Sequence, residues 1–186
     1  MILLITGIIC FATVHLSPAL APGIKATTLQ RMGDGGYRGL FSLLIAAGLV
    51  LIVLGWRSAT PELGYLPPDG LKHAAMGLVL LAFLLMVTSS RPSRLRRIVR
   101  HPQLTGVITW AVAHLLLNGD NRSLVLFGGL AVWALLEIIF INRRDGEYVA
   151  PPSPGWGAEL VNLVIAAVVV AVVVAVHPWI SGMPVY

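Results

Sequence analysis

The sequence predicts an all-α fold, a polytopic membrane helix bundle of about six transmembrane helices. Hydrophobic residues make up 57% of the 186 positions and charged residues only 11%, whereas soluble domains carry about a quarter charged residues. The mean hydropathy is +0.86. The apolar residues fall into six runs, each close to the ~20 residues that cross a bilayer. Six such runs leave only short connections, so residues 1–186 are expected to form a single domain.

The six runs are separated by prolines, glycines and charged residues. The first run contains Pro18 and Pro22, which should disturb its last turns. We interpret it as a retained span and not as a signal peptide, because it lacks a basic n-region and a convincing cleavage site. The sixth run, which also carries an amide at Asn162, contains a valine-rich stretch, residues 168–174, that has no polar face and should be largely lipid-facing. The predicted spans are residues 2–23, 37–56, 71–88, 103–119, 123–141 and 158–179.

The basic residues predict the orientation in the bilayer. Ten of them lie in the odd-numbered connections and three in or beside the even-numbered ones. Basic loops stay on the cytoplasmic side, so both termini are expected outside. The net charge of +5 therefore serves orientation and does not indicate a nucleic-acid partner. An interfacial aromatic belt is predicted from Trp56, Trp156, Trp179 and Tyr186.

Ionisable residues inside the spans are the first functional candidates, because they are costly in hydrocarbon. His15 lies about eight residues and His114 about eleven residues from the predicted cytoplasmic ends, or roughly 12 and 16 Å deep. Two imidazoles at one level suit the axial positions of a haem, whereas zinc needs further ligands. The alternative is that both rings are hydrogen-bonded packing groups. His73 and His177, near the outer ends of their spans, need no special role.

A polar stripe runs along the fourth span. Trp110, His114 and Asn118 recur at intervals of four residues, which places them on one helix face. Such a stripe can line a polar cavity or a cofactor. It can equally be a packing stripe in which Asn118 caps the outer end of the helix.

Charged residues near the predicted cytoplasmic surface form a second group of candidates. Arg100 and His101 precede the proline that begins the fourth span, where free amides and positive charge favour an anionic group such as a haem propionate. The arginines upstream of them orient the chain and contact headgroups. Glu137 in the fifth span either pairs with Arg144 or Arg100, or accepts a hydrogen bond that orients His15 or His101.

At these residues the sequence resembles the NnrU family, over nearly the whole chain. The family consists of bacterial membrane proteins associated with denitrification and nitric oxide metabolism, so the resemblance implies the bacterial inner (cytoplasmic) membrane. The motifs that carry it are His15-Leu16-Ser17, Tyr37-Arg38-Gly39-Leu40-Phe41-Ser42, Arg100-His101-Pro102-Gln103, Gly106, Trp110, His114-Leu115, Asn118-Gly119-Asp120 and Leu126-Phe127-Gly128-Gly129.

The same domain forms the 15-cis-zeta-carotene isomerase, a membrane enzyme in which two histidines coordinate haem b. The resemblance implies haem b as the cofactor here, with His15 and His114 as the metal ligands. That enzyme carries a cysteine one turn before the second histidine, where this chain has Ala111, so its redox-dependent ligand exchange should be absent. The other residues expected near the cofactor are Arg100, His101, Trp110, Asn118 and Glu137.

The resulting expectation is a membrane haem protein that acts in denitrification-related redox chemistry or isomerises a lipophilic polyene. Its expected partners are the lipid bilayer, haem, a lipophilic substrate and other membrane proteins. Two alternatives come from other classes. A membrane S-adenosylmethionine-dependent methyltransferase is suggested by His101 followed two spans later by Arg143, Arg144 and Glu147, although the paired acidic residues expected there are missing. A non-catalytic assembly factor would bind neither cofactor.

Overall fold

The computed structural model describes residues 1–183 and is helical through most of that range, so the predicted fold class is confirmed. Apolar segments become helices because a backbone in hydrocarbon must satisfy its own hydrogen bonds. Tyr186, predicted in the aromatic belt, lies outside the described residues. The helices are α1 Ile2–Leu20, α2 Pro22–Ser58, α3 Lys72–Thr88, α4 Leu95–Ile98, α5 Pro102–Leu115, α6 Asn121–Ser123, a π-helical segment Leu124–Gly128, α7 Gly129–Asp145 and α8 Trp156–Ser181.

Four helices within residues 1–183 are long and apolar enough to cross a membrane: α1, α2, the continuous helix Asn121–Asp145, and α8. By length and composition, the chain is therefore an integral membrane protein. Helix α3 is a shorter apolar helix of 17 residues. Helix α5 has 14 residues, or about 21 Å at 1.5 Å per residue, against a hydrocarbon core of about 30 Å. The count of six spans and the outside location of both termini stay predictions.

The first two helices depart from the predicted boundaries. Helix α1 contains Pro18 without ending there, and the break comes at Ala21, whose φ of −132° and ψ of 63° are not helical. The residue before a proline disfavours the helical region, and Pro22 then starts α2. Residues 24–36, predicted as a connection, are mostly helical instead. They join the second span through a kink at Gly33, whose φ of 69° suits glycine.

Glycines bring α1 and α2 into close contact. A Cβ on Gly7 would lie 2.6 Å from the backbone nitrogen of Ile52, and a Cβ on Gly55 would collide with the backbone of Leu4. Leu4 and Ile52 are buried together with Ile8 in this interface. Because lipid tails are as apolar as leucine, helices in a membrane associate through such close packing and not through hydrophobic burial.

Gly55→Ala is expected to destabilise the fold by about 1–3 kcal/mol, because the added methyl group overpacks the interface between α1 and α2. Gly39→Ala is the matched control in the same helix, since a Cβ there meets nothing within 4 Å. Alanine favours a helix over glycine by about 1 kcal/mol, so the control should be unchanged or more stable. Thermal unfolding of the two variants in detergent measures the difference. Equal midpoints would contradict the packing argument.

The polar groups of α8 are satisfied by the segment after α3. Asn162 is 1% exposed, accepts a hydrogen bond from Arg91 Nε at 2.8 Å, and donates one to the carbonyl oxygen of Pro92 at 2.9 Å. Glu159, one turn earlier, accepts from the Ser93 hydroxyl at 2.9 Å. These contacts attach α8 to the neighbouring loop, and they account for an amide within a predicted span.

The helix Asn121–Asp145 packs against both α1 and α5. Trp133 and Ala134 of α7 are buried against Leu16 of α1, and Phe127 is buried against Ala111 of α5. Phe127 belongs to the π-helical segment, a local distortion that occurs frequently at functional sites. Two aromatic clusters result, one at the level of Trp133 and one at the level of Phe127.

Candidate functional site

His114 lies in the last turn of α5, within an aromatic cluster. Its ring centroid is 4.7 Å from that of Trp110 and 4.4 Å from that of Phe127, with which it stacks at 26°. The ring Nδ1 lies 2.8 Å from the carbonyl oxygen of Trp110. Because a carbonyl oxygen only accepts, Nδ1 carries the proton, and the neutral ring presents a lone pair on Nε2. We call Trp110, His114 and Phe127 the His114 cluster.

The predicted stripe along α5 is present as a series of hydrogen bonds. His114 donates to Trp110, and Asn118 Nδ2 donates to the carbonyl oxygen of His114 at 2.8 Å. Asn118 therefore caps the end of the helix. The hydroxyl of Tyr65, from the loop before α3, donates to the carbonyl oxygens of Leu115 and Asn118. Burial raises the pKa of the Tyr65 phenol, and the charge of Asp120 raises it further, so the hydroxyl stays protonated as a donor.

His15 lies in a separate cluster on α1. Its ring centroid is 4.2 Å from that of Phe11, 5.0 Å from that of Trp133 and 5.6 Å from that of Phe41. Its Nδ1 donates to the carbonyl oxygen of Phe11 at 3.0 Å, which again leaves Nε2 with the free lone pair. We call Phe11, His15, Phe41 and Trp133 the His15 cluster.

The structure does not bring the rings of His15 and His114 into one cluster. His15 contacts Trp133 and His114 contacts Phe127, and these two partners lie six residues apart on one continuous helix. Six residues correspond to about 9 Å along a helix axis, so the two imidazoles lie at different levels. The prediction that they share one haem stays a prediction.

The imidazole that lies near His114 belongs to His177. The two ring centroids are 6.5 Å apart, with 27° between the ring planes. His177 occupies the last turns of α8, and its Nδ1 donates to the carbonyl oxygen of Met183 at 3.0 Å. Sequence reasoning assigned this residue no role. Counting both histidines from the outer ends of their predicted spans would have placed them at similar depth.

Arg100 and His101 join the start of α5 to the end of α7. His101 Nε2 lies 2.8 Å from Asn142 Oδ1, and Arg100 donates to the carbonyl oxygen of Gly146 at 2.6 Å. These two contacts attach the start of α5 to the end of α7. His114, however, lies 13 residues further along the chain, or about 20 Å of helix. Their predicted role beside a haem propionate stays a prediction.

Glu137 makes neither of its predicted contacts. Arg144 pairs with Asp145 at 2.7 Å, and Arg100 bonds to Gly146, so neither arginine lies within ion-pair distance of Glu137. His15 is oriented by its own helix backbone, not by this carboxylate. Glu137 Oε2 is buried without a hydrogen-bond partner within residues 1–183. A role of Glu137 at a cofactor stays a prediction.

The comparison with known families identifies the chain. The family model described as "NnrU protein" matches residues 3–185. The chain belongs to the NnrU family. No curated protein and no solved structure matches it. The match covers nearly the whole chain, so the His15 cluster and the His114 cluster both lie inside the NnrU domain.

The donor groups of this NnrU protein fit a haem better than a bare metal ion. Within residues 1–183, no group of three or more His, Cys, Asp or Glu side chains is placed to hold a metal ion. A haem supplies four of the six ligands of its iron, so it needs only axial imidazoles from the protein. His15, His114 and His177 each have Nδ1 hydrogen-bonded and Nε2 available. A second hydrogen bond of this kind is typical of histidines that bind metals.

Two further residues beside the His114 cluster were missed by sequence reasoning. Trp56, predicted in an interfacial belt, is only 8% exposed, and its ring centroid lies 6.2 Å from that of Phe127. Its indole nitrogen donates to the carbonyl oxygen of Ser181 in α8. The guanidinium of Arg122 lies over the Trp56 ring at 4.4 Å. Sequence spacing carries no signal for these contacts, since they join three separate segments.

Proposed function

We propose that this NnrU protein binds haem b through membrane histidines, and that His114 is one of the residues that would hold it. The observation that carries the proposal is the state of the His114 ring, whose Nδ1 is held by a backbone carbonyl and whose Nε2 is free among aromatic rings. His15 has the same free nitrogen and is the second ligand predicted from the sequence. When bound, the haem supplies one-electron redox chemistry.

The side chains around His114 have separate tasks in this proposal. The carbonyl oxygen of Trp110 fixes the ring orientation and increases the basicity of Nε2. Phe127 and Trp110 keep water from one side of the ring, which strengthens electrostatic interactions there. Val112 of α5 and Leu117 in the turn after α5 are 42% and 44% exposed. A lipophilic molecule can therefore approach this helix from the bilayer.

The redox role that we propose is taken from the processes with which the NnrU family is associated. We propose either electron transfer in denitrification and nitric oxide metabolism, or the redox-linked isomerisation of a lipophilic polyene. If haem is bound, isomerisation would require one of the histidines that hold it to be displaced, whereas electron transfer would favour both histidines staying bound. Whether one of these histidines can be displaced therefore distinguishes the two activities.

Absorption spectroscopy of the purified protein tests haem binding. We expect protein made in cells supplied with haem precursor to be coloured, with a Soret band and split visible bands after reduction. The pyridine haemochrome of the same sample identifies haem b. A colourless preparation would contradict the proposal. Heat of binding on titration with S-adenosylmethionine would then favour the methyltransferase alternative.

A further inference from the structure

We infer that a cavity beside Arg96, the Arg96 cavity, binds the phosphate group of an anionic phospholipid. The cavity lies between the segment that follows α3 and the loop that precedes α8, and no residue of the His15 cluster or the His114 cluster lines it. The inference is therefore independent of the proposed haem binding. Four observations support it: the shape of the cavity, the charge of Arg96, a second arginine that contacts the same loop, and an apolar stripe along α8.

The Arg96 cavity has a volume of about 340 Å³, which is within the range of about 300–1,000 Å³ for small-molecule sites. One wall consists of Pro92, Ser93 and Arg96, and the other of residues 151–154, which are three prolines and one serine. The hydroxyl of Tyr148 donates to the carbonyl oxygen of Arg96 and so attaches the loop before α8 to this segment. Because proline fixes φ, the four prolines keep the walls in place before a ligand binds, which lowers the entropic cost of binding.

Arg96 gives the cavity a positive charge that the protein does not neutralise. The residue is half-buried, and it forms no ion pair within the described part of the chain. Residues 70–119 contain no Asp or Glu. Glu159, in the first turn of α8, instead accepts hydrogen bonds from the Ser93 hydroxyl and from the backbone nitrogen of Arg94. A guanidinium in this state favours an anion, and its planar fork of N–H donors matches a phosphate group.

A second arginine contacts the loop that lines the cavity. Arg94 Nε donates to the carbonyl oxygen of Pro154 at 3.4 Å, and the guanidinium carbon of Arg94 lies 3.9 Å from the ring centroid of Trp156. Trp156 begins α8 and is 72% exposed, as expected of a tryptophan at a membrane–water interface. Helix α8 is long and apolar enough to cross a membrane. The Arg96 cavity therefore lies beside the end of a membrane helix, at the level where anionic lipid headgroups attract basic side chains.

An apolar stripe along α8 leads away from the cavity and indicates a lipid. Leu160, Leu163 and Val164 follow Trp156 at helical spacing, which places all four side chains on one face of the helix. These side chains are 54–72% exposed. A phospholipid with its phosphate group in the Arg96 cavity can lay its acyl chains along this stripe. A soluble phosphate or a nucleic acid has no apolar part that would contact it.

Native mass spectrometry of the purified protein with added phosphatidylglycerol tests the inference. We expect Arg96→Gln to weaken lipid binding about 10-fold, because charged hydrogen bonds to the phosphate group are lost. Arg97→Gln is the matched control, since it removes the same charge from the same helix, but Arg97 is exposed and does not line the cavity. This control should change the affinity less than about twofold, because water and salt screen an exposed charge. Equal losses in the two variants, or wild-type affinity of Arg96→Gln, would overturn the inference.

A variant of the loop covers the case in which Arg96→Gln does not fold. Ser153→Phe adds a ring to the cavity from an exposed position and should release the lipid, whereas Val149→Phe, in the same loop but outside the cavity lining, should retain it. Phosphatidylcholine, whose headgroup has no net charge, should bind more weakly than phosphatidylglycerol, and millimolar inorganic phosphate should not displace the lipid. Wild-type affinity of Ser153→Phe for phosphatidylglycerol, or equal binding of the two lipids, would overturn the inference. Displacement by inorganic phosphate would overturn it too, because the cavity would then hold a soluble anion.

Discussion

Replacing His114 by alanine is expected to remove haem from the purified protein. His114 lies among aromatic rings with Nε2 free of hydrogen bonds, and its ring centroid is 6.5 Å from that of His177. Loss of a residue that only orients a metal ligand lowers metal affinity about 10- to 100-fold, so loss of the ligand itself should exceed about 100-fold. The measurement is the ratio of Soret to protein absorbance after size-exclusion chromatography in detergent.

Two controls make this result specific. His73→Ala removes an exposed histidine at the start of α3 and should leave the ratio unchanged. His114→Gly leaves a cavity that free imidazole can enter, so added imidazole should restore part of the Soret band. A His114→Ala protein that keeps the wild-type spectrum would show that the iron is held elsewhere. Identical haem spectra of His73→Ala and His114→Ala would show that His114 does not hold the haem.

The sequence predicts the helices well because their signals are local. The apolar runs around α3 and α8 are each bounded by charged or proline-containing segments, and the structure begins and ends the helices near those boundaries. The first connection was missed for a physical reason. Residues 24–36 contain no proline, and one positive-φ residue, Gly33, is enough to bend a continuous helix between two directions.

The candidate site could be predicted only in part, because depth along a helix is readable from sequence and rotation about its axis is not. His114 and its stripe follow from spacing within one helix, and the hydrogen bonds of Trp110 and Asn118 have that spacing. The pairing of His114 with His177 joins helices 63 positions apart in the chain. Whether His15 or His177 lies next to His114 depends on how the helices pack against each other. No local sequence pattern carries that information.

The loop before α3 supports the His114 end of α5, and Gly119 is where the two meet. The carbonyl oxygen of Gly119 accepts hydrogen bonds from the backbone nitrogens of Gly64 and Tyr65 at 2.8 and 2.9 Å. A Cβ at position 119 would collide with the carbonyl oxygen of Tyr65. The hydroxyl of Tyr65 in turn bonds to the carbonyl oxygens of Leu115 and Asn118, which follow His114. Displacing this loop therefore leaves the last turn of α5 without its partners.

Gly119→Ala is expected to lower the free energy of unfolding by about 3 kcal/mol or more, from overpacking together with the lost backbone hydrogen bonds. Thermal unfolding in detergent, followed by tryptophan fluorescence, measures this loss. Gly77→Ala in α3 is the matched control, because a Cβ there meets nothing within 4 Å. Tyr65→Phe removes only the hydroxyl and should cost about 1 kcal/mol. If Gly119→Ala and the Gly77→Ala control unfold at the same temperature, the loop does not support α5. A loss confined to Gly119→Ala would attribute the support to the backbone contacts and not to the phenol.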